Sequence, residues 1–198
     1  MKIDSPRRRL SAEARRARIA DAAMQVFAER GYHAASIAEI ARCAGISKPV
    51  VYDHFASKAD LHLQLLARER DRLLALTDAA ATLQSALEAF FAYVQGHPYA
   101  WRMLFRETTG DPAVARAHER VIAEARAGIA RQIARGVALS GRGARLRSEL
   151  LAEGVMGVTH GLALWWQGHP DVPRREIVRA ATDLLVPGLA RLAAAARR

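Results

Sequence analysis

Between Ser36 and Leu61 the stretch SIAEIARCAGISKPVVYDHFASKADL sets serines, lysines, a tyrosine, an aspartate and a histidine at short, regular intervals. These types do not assemble a catalytic unit. The only cysteine, Cys43, has no partner for a dyad, and a small core residue is the expected role for it. The seven histidines are scattered, with His54/His62 and His160/His169 at poor offsets for a shared metal. No phosphate loop, nucleophile elbow or paired catalytic carboxylate occurs, so neither an active site nor a metal or cofactor is expected. What the residues suit is starting helices. Ser36 and Glu39 have the spacing of a capping box, Ser57 and Asp60 repeat it, and Ser47 opens a short helix between them. Gly45 supplies the positive-φ turn. With Ile40, Ile46, Val51 and Phe55 buried, Lys48, Pro49, Tyr52 and Asp53 face outward: two short helices and a tight turn, a helix-turn-helix.

The elements that must hold this unit are helices. The chain of 198 residues is 51% hydrophobic with 7 prolines, and alanine, leucine and arginine dominate, which favours helix almost throughout. Nine helices are expected in an all-α fold. Residues 1–10 read as an arm whose basic groups either are simply solvated or reach nucleic-acid phosphates. Ser11 caps a first helix with Ile19, Ala22, Ala23, Val26 and Phe27 on one face, and Gly31 ends it. A long helix follows Ser57. Further starts fall at Thr82, Pro98, Asp111-Pro112, Leu146 and Pro173, and Pro187 is expected to kink or end the last helix. The division read from this is a helix-turn-helix domain over 11–57 and a larger helical domain over 58–198.

At these residues the chain resembles the TetR family of bacterial transcriptional repressors. The match lies in Ser36…Ile40-Ala41…Gly45-Ile46-Ser47…Tyr52-x-His54-Phe55-x-Ser57-Lys58-x-x-Leu61, preceded by Ala-x-x-x-Phe27-x-x-x-Gly31-Tyr32. The resemblance implies a recognition helix in the major groove, with Lys48 donating to a guanine edge or a phosphate beside Pro49 and Val50. It implies that Tyr52 and His54 contact backbone or bases, and that Ser36, Ser47 and Lys58 sit at helix N-termini that favour phosphate oxygens. Asp53 either reads a cytosine amino group or orients Lys48. Packing of Tyr52 and His54 inside the small domain is the plain alternative.

The downstream two thirds carry more large apolar side chains than short helices need. Most form an ordinary core. Phe90, Tyr93, Trp101, Phe105, Arg106, Met156 and His160 are the candidates to line a cavity for a small apolar or aromatic effector. Val158, Leu162, Trp165, Ile177, Ala181, Leu184 and Leu185, on the last two helices, are the candidates for a homodimer interface. The expectation is a homodimeric repressor that binds a palindromic double-stranded operator and is released by that effector. A regulator without a ligand, or a helical enzyme or carrier with an incidental motif, are the alternatives. The formal charge of +10 is spread over the chain and says little about DNA. One cysteine and no apolar run long enough to span a bilayer fit a cytoplasmic protein.

Overall fold

The computed structural model of the protein describes residues 11–105, 111–137 and 143–196. Nine helices make up the described residues: α1 Ala12–Ala34, α2 Ile37–Ala44, α3 Lys48–Tyr52, α4 Lys58–Ala79, α5 Leu83–Gly96, α6 Pro98–Phe105, α7 Pro112–Val137, α8 Ala144–Gln167 and α9 Arg174–Ala196. The basic arm lies outside the described residues.

Local chemistry fixes the helix ends. Ser11 Oγ accepts from the Ala14 amide at 3.1 Å, and Gly31 breaks α1 with φ 78° and ψ 164°, so that the expected stop appears as a kink inside the helix. The box at Ser36 forms by half. Its hydroxyl accepts from Glu39 N at 3.1 Å, while the Glu39 carboxylate turns to Arg30 and Arg42. At Ser57 the hydroxyl accepts from Asp60 N, but Asp60 caps the amide of Ala56 instead of that of Ser57. A reciprocal box stands at Thr82 and Ser85, where each side chain accepts from the other's amide. Ser47 holds the N-cap position of α3 with no side-chain cap bond.

α1 packs on α2, α4 and α6; α4 runs along α7, α7 along α8, and α5 along α9. One apolar core therefore extends from Ile19, Val26 and Phe27 through Leu61, Leu65 and Leu66 to Phe91, Trp101 and Trp166. α9 continues past Pro187 to Ala196, so of the two expected outcomes, a kink or an end, the helix does not end there. Pro187 and Asp183, the residue whose carbonyl loses its helical donor, are both exposed. Cys43 is exposed and not in the core. The apolar stripe of α2 consists of Ile37, Ile40, Ala41 and Ala44, and position 43 falls at its flank, where the thiol lies 3.7 Å from Gln25 Oε1 of α1.

A buried carboxylate was not foreseen. Glu69 on α4 is 0% exposed and accepts from Arg68 at 2.9 Å, from Arg72 at 3.1 Å and from the Tyr93 hydroxyl at 3.0 Å. Burial, with the Glu69 charge second, raises the Tyr93 phenol well above its ordinary value.

Candidate nucleic-acid interface and interior cavity

α3 presents Lys48, Pro49, Tyr52 and Asp53 to solvent, while Val51 is fully buried and Val50 and His54 are half-buried. Two devices hold this helix. Gly45 takes φ 63° and ψ 38°, and its amide bonds back to α2; a side chain there would be strained by that backbone alone. Arg16 of α1 donates to the His54 carbonyl at 2.7 Å, bonds Gln64 and stands 4.4 Å above the Phe55 ring, fixing the turn that follows α3. Nothing in the spacing of Arg16 and His54 announces this pairing across 38 positions.

Lys58 is placed differently from the phosphate contact implied by resemblance. Its ammonium donates to the carbonyls of Tyr32, His33 and Ala35 at 2.9, 3.3 and 3.0 Å and lies 4.5 Å over the Tyr32 ring. Three donors meet three acceptors, so its direct role is to lock the α1–α2 link.

Behind the motif, three helices meet at a pair of buried histidines. His62 Nε2 of α4 lies 3.0 Å from His118 Nε2 of α7, and His118 Nδ1 lies 3.1 Å from the Leu104 carbonyl of α6. A carbonyl only accepts, so His118 carries its proton on Nδ1 and accepts on Nε2; His62 then donates from Nε2. Burial lowers both values, His62 to about 3, with the nearby His118 and Lys58 adding to its shift. The Tyr32 hydroxyl donates to Asp111 at 3.0 Å, and burial, with Asp111 second, pushes Tyr32 up to about 12. Asp111 is held below the usual carboxylate range by the Val114 amide first and Tyr32 second.

The histidines make a pH dependence explicit. As pH falls through about 6.5 the unfolded chain takes up protons that buried His62 and His118 refuse, so stability is complete above that value and declines below it. Each contributes a slope of up to about 1.4 kcal/mol per pH unit. Urea unfolding at pH 7.5 and 5 should show the loss, and His62→Phe should flatten it by one proton's worth; an unchanged slope would refute the assignment.

Between α4, α5, α6, α7 and α8 lies a cavity of about 100 Å³. Phe90, Phe105, Met156 and His160 line it with Leu73, Leu76 and Ile129. Of the other candidates, Tyr93 turns its hydroxyl to Glu69 instead, and Trp101 sits behind the wall, its ring centroid 5.3 Å from His160 and 5.4 Å from Phe105. Arg106 lies outside the described residues. Trp101 Nε1 and His160 Nδ1 are buried with no partner among the described residues. Burial lowers His160, which keeps its imidazole neutral near pH 7.

On the outer side of α8, Leu146, Leu150, Gly154, Gly157, Gly161, Leu164 and Trp165 follow one another at three- and four-residue steps, all exposed. Leu184 and Gly188 are exposed on α9, one turn apart. Ile177 and Ala181 do not belong to it: they are 4% and 0% exposed, packed inside the protomer. Val158, Leu162 and Leu185 are half-buried, with Leu162 and Leu185 against the same core, whereas Trp165 and Leu184 stand free at 49% and 65% exposure. The exposure of Leu146, Leu150 and Leu164 does not show in the sequence because α8 is apolar almost all round, which hides its free side.

A helix-turn-helix carried on a purely helical body defines a DNA-binding regulator. Residues 19–65 match the model for bacterial regulatory proteins of the tetR family, and residues 80–188 match the tetracyclin repressor-like C-terminal domain. The chain belongs to the TetR family of transcriptional regulators. It is 36% identical over 168 residues to the HTH-type transcriptional activator FasR of Mycolicibacterium smegmatis, a match covering 80% of this chain and 74% of that one. Among solved structures, a TetR-like transcriptional regulator from Rhodococcus sp. RHA1 is similar with a TM-score of 0.73 and 27% identity, over 92% of this chain and 99% of that one. A putative transcriptional regulator from Pseudomonas aeruginosa PAO1 gives 0.69 and 26%, over 96% of each chain. Among the described residues no helix is long and apolar enough to cross a membrane.

Proposed function

We propose that the protein binds a palindromic operator as a homodimer through residues 11–57, and that a small apolar effector held by the body over 58–198 controls that binding. The observation that carries the DNA contact is the outward set Lys48, Pro49, Tyr52 and Asp53 on a helix whose turn is fixed from both sides. Lys48 faces the base edges, Ser47 keeps its hydroxyl for a phosphate, and Ser36, His54 and Tyr52 flank them. Lys48→Ala should weaken operator binding by about 1–3 kcal/mol. Lys58→Ala should lower the unfolding midpoint and leave the salt slope nearly unchanged, since its donors are engaged within the chain. Fluorescence anisotropy over a salt series and thermal melts separate the two; full affinity in Lys48→Ala would remove α3 from the groove.

The effector reading rests on the apolar cavity and on the unpartnered His160 Nδ1 in its wall. A buried polar nitrogen left unpaired is costly, so a ligand with one polar end on an apolar or aromatic body fits this lining. A dimer seated on its operator obstructs transcription, which makes repression the first reading. The name of the Mycolicibacterium smegmatis relative, an activator, favours a second in which the bound dimer raises transcription. Deleting the gene and measuring a reporter under its operator decides: output rises for a repressor and falls for an activator.

A further inference from the structure

We propose that Leu104, His118 and His62 form a hydrogen-bonded connection through which occupancy of the cavity repositions the helix-turn-helix. This rests on the effector reading above and adds the route by which the cavity acts on DNA. Each member stands on a helix that also walls the cavity. Leu104 precedes Phe105 on α6; His118 precedes Ala125 and Ile129 on α7; His62 precedes Leu73 and Leu76 on α4. The run ends on the DNA-binding unit, where the His62 ring meets Phe27 edge-on at 4.5 Å and Tyr32 at 5.0 Å. Tyr32 is tied to the start of α7 through Asp111, and its carbonyl is held by Lys58.

The chemistry makes this connection stiff where apolar packing would slide. The two bonds measure 3.1 and 3.0 Å, and both histidines are buried, at 7% and 1% exposure. A shift of α6 by half an ångström or so carries such a bond out of range and leaves a buried N–H unpaired, so α7 and α4 must follow or the contact must break as a unit. That gives two discrete arrangements and no continuum between them, which is what a switch requires. The order of protons, Nδ1 on His118 and Nε2 on His62, follows from the Leu104 carbonyl and is itself a measurable feature.

The test uses a benzyl group as the cavity's occupant. Ala86 on α5 lines the cavity, and none of the three residues does. In the full-length protein, Ala86→Phe should change operator affinity at least tenfold. In the His62→Phe background, which keeps the ring against Phe27, or in His118→Asn, which keeps a donor for Leu104, the same substitution should change it less than twofold. Comparing the change within each background cancels any offset from the background itself. An equal change in all three overturns the connection and leaves the effector reading standing. No change from Ala86→Phe in the parent overturns both. Ring-nitrogen NMR of the unaltered protein gives a readout that needs no variant to fold: His118 should be protonated on Nδ1 and His62 on Nε2, and the reverse assignment overturns the proposal.

Discussion

Replacing Leu150 or Leu184 by aspartate is expected to yield a folded monomer that binds its full operator about 10²–10⁴-fold more weakly than the parent. Both side chains are more than 60% exposed, so neither substitution disturbs the protomer's own core. They lie on α8 and α9, where a carboxylate would be desolvated against its own copy. One helix-turn-helix reads a single half-site, and the loss is that of coupling two half-sites held about 34 Å apart. Leu185→Asp is a contrasting control: it is half-buried against the core and should lower stability first. Light scattering alongside anisotropy tests this; an aspartate variant that stays dimeric at full affinity would move the interface elsewhere.

The second large effect concerns Glu69. Removing both cations, by Arg68→Ala with Arg72→Ala, should destabilise the fold by about 3 kcal/mol, at the low end for an orphaned buried charge because both guanidiniums reach solvent. Glu69→Gln, which keeps shape and an acceptor for Tyr93, should cost much less. Equilibrium unfolding in urea measures both. A loss below about 1 kcal/mol for the double variant would mean that water reaches the carboxylate once the arginines are gone.

These two cases mark what one-dimensional reading reaches. Helix starts, the Gly45 turn and the inward set Ile40, Val51 and Phe55 depend on neighbours within one or two turns, and the nine helices fall where those signals place them. The cavity was legible in part. Phe90, Phe105, Met156 and His160 reach it, whereas Tyr93 is drawn away by a carboxylate 24 positions earlier. His62 with His118, Arg16 with His54 and Tyr32 with Asp111 are separated by 56, 38 and 79 positions, and no periodicity records them. The free face of α8 escaped for the opposite reason: with leucine, valine and tryptophan on nearly every side, hydropathy alone does not tell the side that packs in the core from the side left exposed.

The exposure of Cys43 at the flank of α2 has a practical side. It is the chain's sole thiol and it stands on α2, outside α3. A maleimide or methanethiosulfonate reagent therefore places one label per protomer without any engineered cysteine. In a twofold assembly the pair of spin labels would report the separation of the two recognition motifs directly, by pulsed electron resonance, in solution and with or without DNA.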